Sequence, residues 1–347
     1  MQKLKTYLIV VVVLCSLNSC IINNVSGQAK IVIDQAEANF ESVSELVVKG
    51  SFCNVNIDSH SSEKILFKGE VKANKERDDI KIRYKQDGSS LEVWIERPRS
   101  LRGSFGGLLG FKVPSGTHIR VDNTSGSVHV ANMVSSKVHL MASSGSINAE
   151  NMDCDISAKT SSGGLKLTNI NGDLSCISSS GSQSFTKIKG NVVSKLSSGR
   201  ISMEEINGDV DSESSSGSQS ITMVMGNVQA SASSGSIKMS DVRGDVQARA
   251  SSGSIKLYNI NGALNLITSS GSQYGEEIML SGNSSFKASS GSVKMSLSNQ
   301  ADELSFDLMA SSGSLSAKGM RGKKQLNIKK GEILVLGVSS SGSQHYY

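Results

Sequence analysis

The residues able to do chemistry in this chain are few in kind, and their spacings assemble no familiar catalytic pattern. Five histidines (His60, His118, His129, His139 and His345) show no metal-ligand spacing, and His129 and His139 fall at alternating positions of strand-like runs. Serine is abundant, yet no GxSxG, HExxH or P-loop occurs and no Ser/His/Asp grouping stands out. An enzyme acting on polysaccharide needs two carboxylates facing one glycosidic bond. The adjacent acids Glu204-Glu205, Glu276-Glu277 and Asp302-Glu303 are the only such pairs after residue 114, and corners or loops explain them as well. The expectation is a protein that is not an enzyme, with no catalytic residues, no metal and no cofactor.

One cysteine has a definite chemistry. Lys3 and Lys5 precede the apolar run Tyr7 to Leu14, which is short for a membrane span and leads into Leu17-Asn18-Ser19-Cys20. A small residue before cysteine, with leucine three places upstream, resembles a bacterial lipobox, although Asn18 is a poor fit. Residues 1–19 then read as a lipoprotein-type signal peptide and Cys20 as the lipidated first residue of the mature chain. Residues 20–39 read as anchor and linker. Cys53, Cys154 and Cys176 remain, an odd number without a CxxC pair. They are expected to be buried, inert thiols.

Charge excludes one partner class. The formal net charge is +5 and falls to about +3 without Lys3 and Lys5, too weak and too dispersed for a nucleic-acid footprint. The densest basic cluster, Arg321, Lys323, Lys324, Lys329 and Lys330, reads as a solvated face.

The elements that position these residues are set by a repeat. Glycine and serine are plentiful and prolines number two, while 37% of residues are hydrophobic, so the glycines punctuate an ordered chain. A Ser-Ser-Gly motif places Gly145, Gly163, Gly181, Gly199, Gly217, Gly235, Gly253 and Gly271 at intervals of 18. A second series, from Gly172 to Gly262, runs nine residues out of phase. Apolar residues follow the same period, for example Leu165 and Leu167, Ile201 and Met203, Ile237 and Met239. Alternation over four or five residues is a half-buried strand. The predicted fold is therefore all-β, a parallel β-helix (solenoid) of 18-residue coils stacked about 4.8 Å apart, roughly 50 Å for ten coils.

Two columns invite closer reading. The residues after the second-corner glycines run Asp173, Asn191, Asp209, Asn227, Asp245 and Ala263, so no two aspartates in that series would be neighbours. Gln183, Gln219 and Gln273 occupy inward positions; they either bond within the corner or turn outward. The calcium-binding β-roll pattern of paired glycines is missing, and threonine arrays that would suit ice are absent. Sparse exposed aromatics leave Tyr258 and Tyr274 as the residues able to stack on a sugar.

Residues 40–113 lack the repeat but contain strand-like runs such as Ile65-Leu66-Phe67, Ile80 to Tyr84 and Leu91 to Ile95, the last two joined across Asp87-Gly88. They read as a β-rich N-terminal cap, with Trp94 in its core and Gly103 to Gly110 as a flexible loop. Residues 114–347 read as the solenoid, whose spacing stretches to 22 and 29 at Gly313 and Gly342 in atypical C-terminal coils.

The lipobox-like start, the strand-rich N-terminal segment, Val113-Pro114-Ser115-Gly116 and the serial Ser-Gly-Ser-(Ile/Val) coils together resemble a bacterial adhesin-like family. It comprises envelope proteins of the β-strand-repeat and head GIN domain type. The resemblance spans about residues 40 to 345 and implies a right-handed parallel β-helix in the cell envelope, with no catalytic residues. The expected function is a non-enzymatic envelope lipoprotein, an adhesin or interaction rod held by its lipid anchor, on the outer membrane, with a surface glycan or protein as partner. The alternatives are a periplasm-facing scaffold or stress-related protein and, last, a polysaccharide-acting enzyme.

Overall fold

A computed structural model describes residues 31–347, which form thirty strands and no helix. The signal-peptide segment and Cys20 lie outside the described residues. In each regular coil a first strand, such as Ile237–Arg243, is followed by a corner and a second strand, such as Val246–Ala250. Each pairs in parallel with the residues eighteen positions on, Ile237 beside Ile255 and Val246 beside Leu264. Ile237, Met239, Val242, Val246, Ala248 and Ala250 point inward and are buried. Between them Lys238 and Arg249 are exposed. A single coil has nothing to bury these residues against, so its two inward rows become a core only when coils stack. About ten turns follow this spacing, from His118–Asn123 to Val293–Leu297.

The Ser-Ser-Gly corners are glycine for a steric reason. A Cβ on Gly235 would lie 1.8 Å from the carbonyl oxygen of Gly217, and one on Gly253 1.9 Å from that of Gly235. Successive corners stack backbone on backbone, and any side chain would prise them apart. Non-glycine residues adopt left-handed backbone in a separate column. Asn151, Asn169, Lys187, Glu205, Met223, Asp241, Asn259 and Glu277 all have φ between 51° and 60°. Each kinks the first strand so that two outward residues are followed by an inward one, as Thr168 and Asn169 are by Ile170. Asparagine suits this conformation best, and there it also forms a ladder: Asn169 donates to Asn151 at 2.8 Å and Asn151 to Asn132 at 3.1 Å.

The polar columns are hydrogen-bonded. At the second corner each Asp or Asn side-chain oxygen accepts from the backbone N–H one coil on, from Asp155 (2.9 Å to Asp173 N) through Asp245 (2.8 Å to Ala263 N). The column thus begins one coil earlier than the glycine series suggests, and Asp155 and Asp173 are adjacent carboxylates. Gln183, Gln219 and Gln273 point inward and are buried. Each donates to a hydroxyl five residues back (Ser178, Ser214 and Thr268) and to a carbonyl of the next coil. A fourth, Gln344, repeats the arrangement with Ser339 at 3.0 Å.

Parallel stacking extends below Pro114. Residues 45–60 form a coil directly beneath the first regular one, Glu45–Ser51 pairing with His118–Asn123 and Asn54–His60 with Val128–Ala131. Beneath that lies a further coil of Ser90–Glu96 and Phe105–Pro114. Antiparallel strands then close the stack, Lys81–Asp87 on one side and Ile65–Ala73 with Ile31–Phe40 on the other. Two expectations fail here. Most of Gly103 to Gly110 is strand: a Cβ on Gly107 would meet the Glu70 carbonyl oxygen at 2.4 Å and Cys53 Sγ at 2.6 Å, so crowding and not mobility selects glycine. Trp94 is half-buried on the outward side, because Leu91, Val93 and Ile95 take the inward positions of its strand.

The C-terminal end uses the same device. Ile333–Ser339 lies between Ser284–Ala288 and Leu304–Ala310, and Gln344–Tyr346 between Val293–Leu297 and Leu315–Ala317. The last coil in sequence is next to last in space. The corner glycines stack in the order Gly291, Gly342, Gly313, so the long spacings record a coil inserted out of order. Tyr346 is buried there between the rings of Phe286 and Phe306, at 5.5 and 5.7 Å. Two short antiparallel strands, Met320–Gly322 and Gln325–Ile328, cover the outermost coil.

Two substitutions test this account. Gly235→Ala should cost about 1–3 kcal/mol in urea unfolding through overpacking, while Ser234→Ala beside it should stay within about 0.5 kcal/mol. Ser214→Ala should cost about 1 kcal/mol by depriving Gln219 of an acceptor. Combining it with Gln219→Ile, which copies the apolar coils, should restore or exceed the original stability.

Candidate functional site

The residues singled out for chemistry are scattered by the fold. Glu204 and Glu205 lie at a kink, and Glu303 accepts hydrogen bonds from Asn299 and the Gln300 backbone. His129 lies 3.2 Å from Asn148 and 3.4 Å from Glu150, and His345 Nδ1 lies 2.8 Å from Ser316 Oγ. Burial and the charges of Lys137 and Arg120 hold His139 below its ordinary pKa. Among the described residues no three His, Cys, Asp or Glu are placed to hold a metal ion. Cys53, Cys154 and Cys176 are buried and unpaired, and burial pushes the first two thiols up to about 12. An open cleft of about 520 Å³ between residues 41–44 and 114–117 contains Glu41 and Lys64, which pair with each other at 2.6 Å.

The outward faces differ along the rod. Parallel registry aligns one outward position of the first strands into a single column. After Lys166, the middle coils of that column hold Ser184, Ser202 and Ser220. It then becomes Lys238, Lys256, Tyr274, Lys294 and His345. Ser316 follows, and beyond it Arg321, which the antiparallel pairing places directly opposite Ser316. The adjoining column carries Ser240, Tyr258 and Glu276.

The tyrosines of this strip and two of its lysines, Lys238 and Lys294, touch one another. The rings of Tyr258 and Tyr274 are 5.9 Å apart. Lys238 Nζ lies 5.3 Å from the Tyr258 centroid, and Lys294 Nζ lies 6.0 Å from that of Tyr274 and 5.6 Å from that of Tyr347. Such contacts contribute about 0.5–1 kcal/mol at exposed sites. The one acid within the strip, Glu276, accepts a 2.9 Å hydrogen bond from the Tyr274 hydroxyl. That bond holds the phenol above its ordinary pKa, since the nearby carboxylate disfavours phenolate. Asp241 and Glu277 flank the strip at the kink column.

Residues 185–346 match the Toastrack DUF4097 family. The strip falls within this matched segment except for Tyr347, the next residue along. Two solved structures are also similar along most of their length. One is a candidate cell adhesion protein from Clostridium sporogenes, 9% identical with a TM-score of 0.20, covering 90% of this chain and 97% of its own. The other is a candidate adhesin from Bacteroides fragilis, 10% identical with a TM-score of 0.31, covering 92% and 98%. Likeness at this level carries no functional argument. No curated protein matches the chain.

Sequence reading named Tyr258 and Tyr274 and set the C-terminal cations aside as a solvated face. It missed that Lys238, Lys256 and Lys294 share the column of Tyr274, beside that of Tyr258. The 18-residue period places Lys238, Lys256 and Tyr274 in line, but aligning His345 and Arg321 requires the out-of-order coil. The Tyr274–Glu276 contact is testable by titration. Glu276→Gln should bring the Tyr274 hydroxyl down toward the ordinary tyrosine range, read from the pH dependence of its ring resonances by NMR.

Proposed function

We propose that this protein is a non-enzymatic cell-envelope lipoprotein, anchored through Cys20 on the outer membrane, that works as an adhesin-type interaction rod. The observation that carries the reading is the contrast between a regular, hydrogen-bonded shaft and a tyrosine- and lysine-bearing face confined to its C-terminal part. Fourteen parallel coils, counted with the two out-of-order coils at each end, make a shaft roughly 60 Å long. Its N-terminal strands follow the lipobox-like motif closely in sequence, so the decorated face lies toward the opposite end from the anchor. A stiff spacer with its distinctive surface far from the membrane is suited to contact, and its acids are scattered where cleavage of a glycan would need them paired.

Protease shaving of intact cells carrying a C-terminally tagged chain tests this. Loss of the tag on intact cells, with Cys20→Ala released to the medium or left unprocessed, is the expected result. Cleavage only after the outer membrane is opened would overturn surface display and leave the periplasm-facing scaffold.

A further inference from the structure

We infer that the strip from Lys238 to Arg321 is a binding track for an acidic polysaccharide strand lying along the solenoid axis. The inference rests on the interaction-rod reading and names its ligand class. Seven stacked positions about 4.8 Å apart give a track of roughly 29 Å, enough for several sugar units, each coil facing about one. The track offers the two kinds of contact such a strand needs. Tyr258, Tyr274 and Tyr347 present ring faces and edges on which the apolar side of a pyranose can stack. Lys238, Lys256 and Lys294 stand between them as partners for carboxylate or sulfate groups.

Charge complementarity selects an acidic strand over a neutral one. Residues 235–347 hold twelve Lys and Arg against eight Asp and Glu. The cations continue past the strip, because Arg321 heads the cap that also bears Lys323, Lys324, Lys329 and Lys330. Every ion pair found among the described residues lies between Asp34 and Glu213, as in Lys49–Glu92 and Lys195–Glu213. Lys238 and Lys294 contact rings, and Glu276 is held by Tyr274, so none of these contacts neutralises the ammonium groups and they keep their charge available to a ligand. The outward column of the second strands offers no such run, passing through Glu213, Ser231, Arg249 and Ile267.

The test uses the full mature chain and three probes, polygalacturonate, its fully methyl-esterified form and phosphatidylglycerol vesicles. Affinity electrophoresis and calorimetry should show binding to the acid polymer, weakened by salt as screening requires, and little to the ester. Lys238→Gln/Lys256→Gln/Lys294→Gln should weaken binding at least tenfold, and Tyr258→Ser/Tyr274→Ser at least fivefold. A triple variant of equal charge on the other side, Lys159→Gln/Arg249→Gln/Lys287→Gln, should stay within twofold. Equal losses in the two triple variants would reduce the effect to net charge and overturn the track. So would equal binding of the ester, or binding only to phosphatidylglycerol vesicles. If shaving succeeds and polygalacturonate is not bound, this inference falls while the rod reading stands. If shaving fails, binding of the purified chain is unaffected and the rod reading alone falls.

Discussion

Everything in this molecule depends on how closely one coil's corner can rest on the next. Where a glycine carbonyl sits within 2 Å of the place a neighbour's Cβ would occupy, the stack has no room for side chains and no freedom in register. With the register fixed, every sequence position becomes a column, and the chemistry of the protein is column chemistry. A side-chain oxygen at the second corner meets the same backbone N–H in coil after coil. The adjacency of Asp155 and Asp173 shows the strength of that arrangement. Like charges in neighbouring rungs repel, yet Asp155 still accepts the Asp173 N–H at 2.9 Å, and the alternation with asparagine then keeps the remaining carboxylates apart.

A stack so uniform has a problem at its ends, where an open coil would offer unpaired strand edges to any other chain. The two ends answer alike. At each, the coil that terminates the parallel stack is separated from its sequence neighbour by a coil drawn from nearer the chain terminus, residues 45–60 at one end and 333–346 at the other. Each inserted coil is hydrogen-bonded on both edges, so unpicking the terminal segment means breaking two interfaces. Short antiparallel strands then cover what remains. The burial of Tyr346, one residue from the last, shows how firmly the C-terminal segment is held.

How much of this was legible depended on whether the information was local in the period. The Ser-Ser-Gly spacing dictated a parallel solenoid, and the inward positions of Ile237, Met239 and Val242 followed from it. The insertion of residues 333–346 was not legible, because spacings of 22 and 29 fit an elongated coil as well as a displaced one. The kink column was half legible: Asn151, Asn169 and Asn259 mark it, while Lys187 and Met223 carry the same backbone without advertising it. The buried glutamines had a signal that went unread. A serine or threonine stands five residues before each of Gln183, Gln219, Gln273 and Gln344, where most apolar coils have alanine. Trp94 shows the opposite error, since bulk and hydrophobicity argued for the core while strand parity placed it outside.

The strip stands apart because the fold gives no reason for it. Outward positions of a solenoid contribute little to its core, and in the middle coils the column holds Ser184, Ser202 and Ser220, small residues that suit a tight stack. Replacing such a serine column with Lys238 and Lys256 side by side brings two like charges to rung distance, a cost of a few tenths of a kcal/mol or more. Tyr258 relieves part of it by lying under the Lys238 ammonium group. Further back, Lys195 at an outward position is matched by Glu213 of the next coil. A sequence selected only to form a rod would have extended the serine column to the end. The clustering of unneutralised cations and stacked tyrosines over a few consecutive coils therefore needs a cause outside the chain, and a polyanion that supplies the missing negative charges is the simplest one.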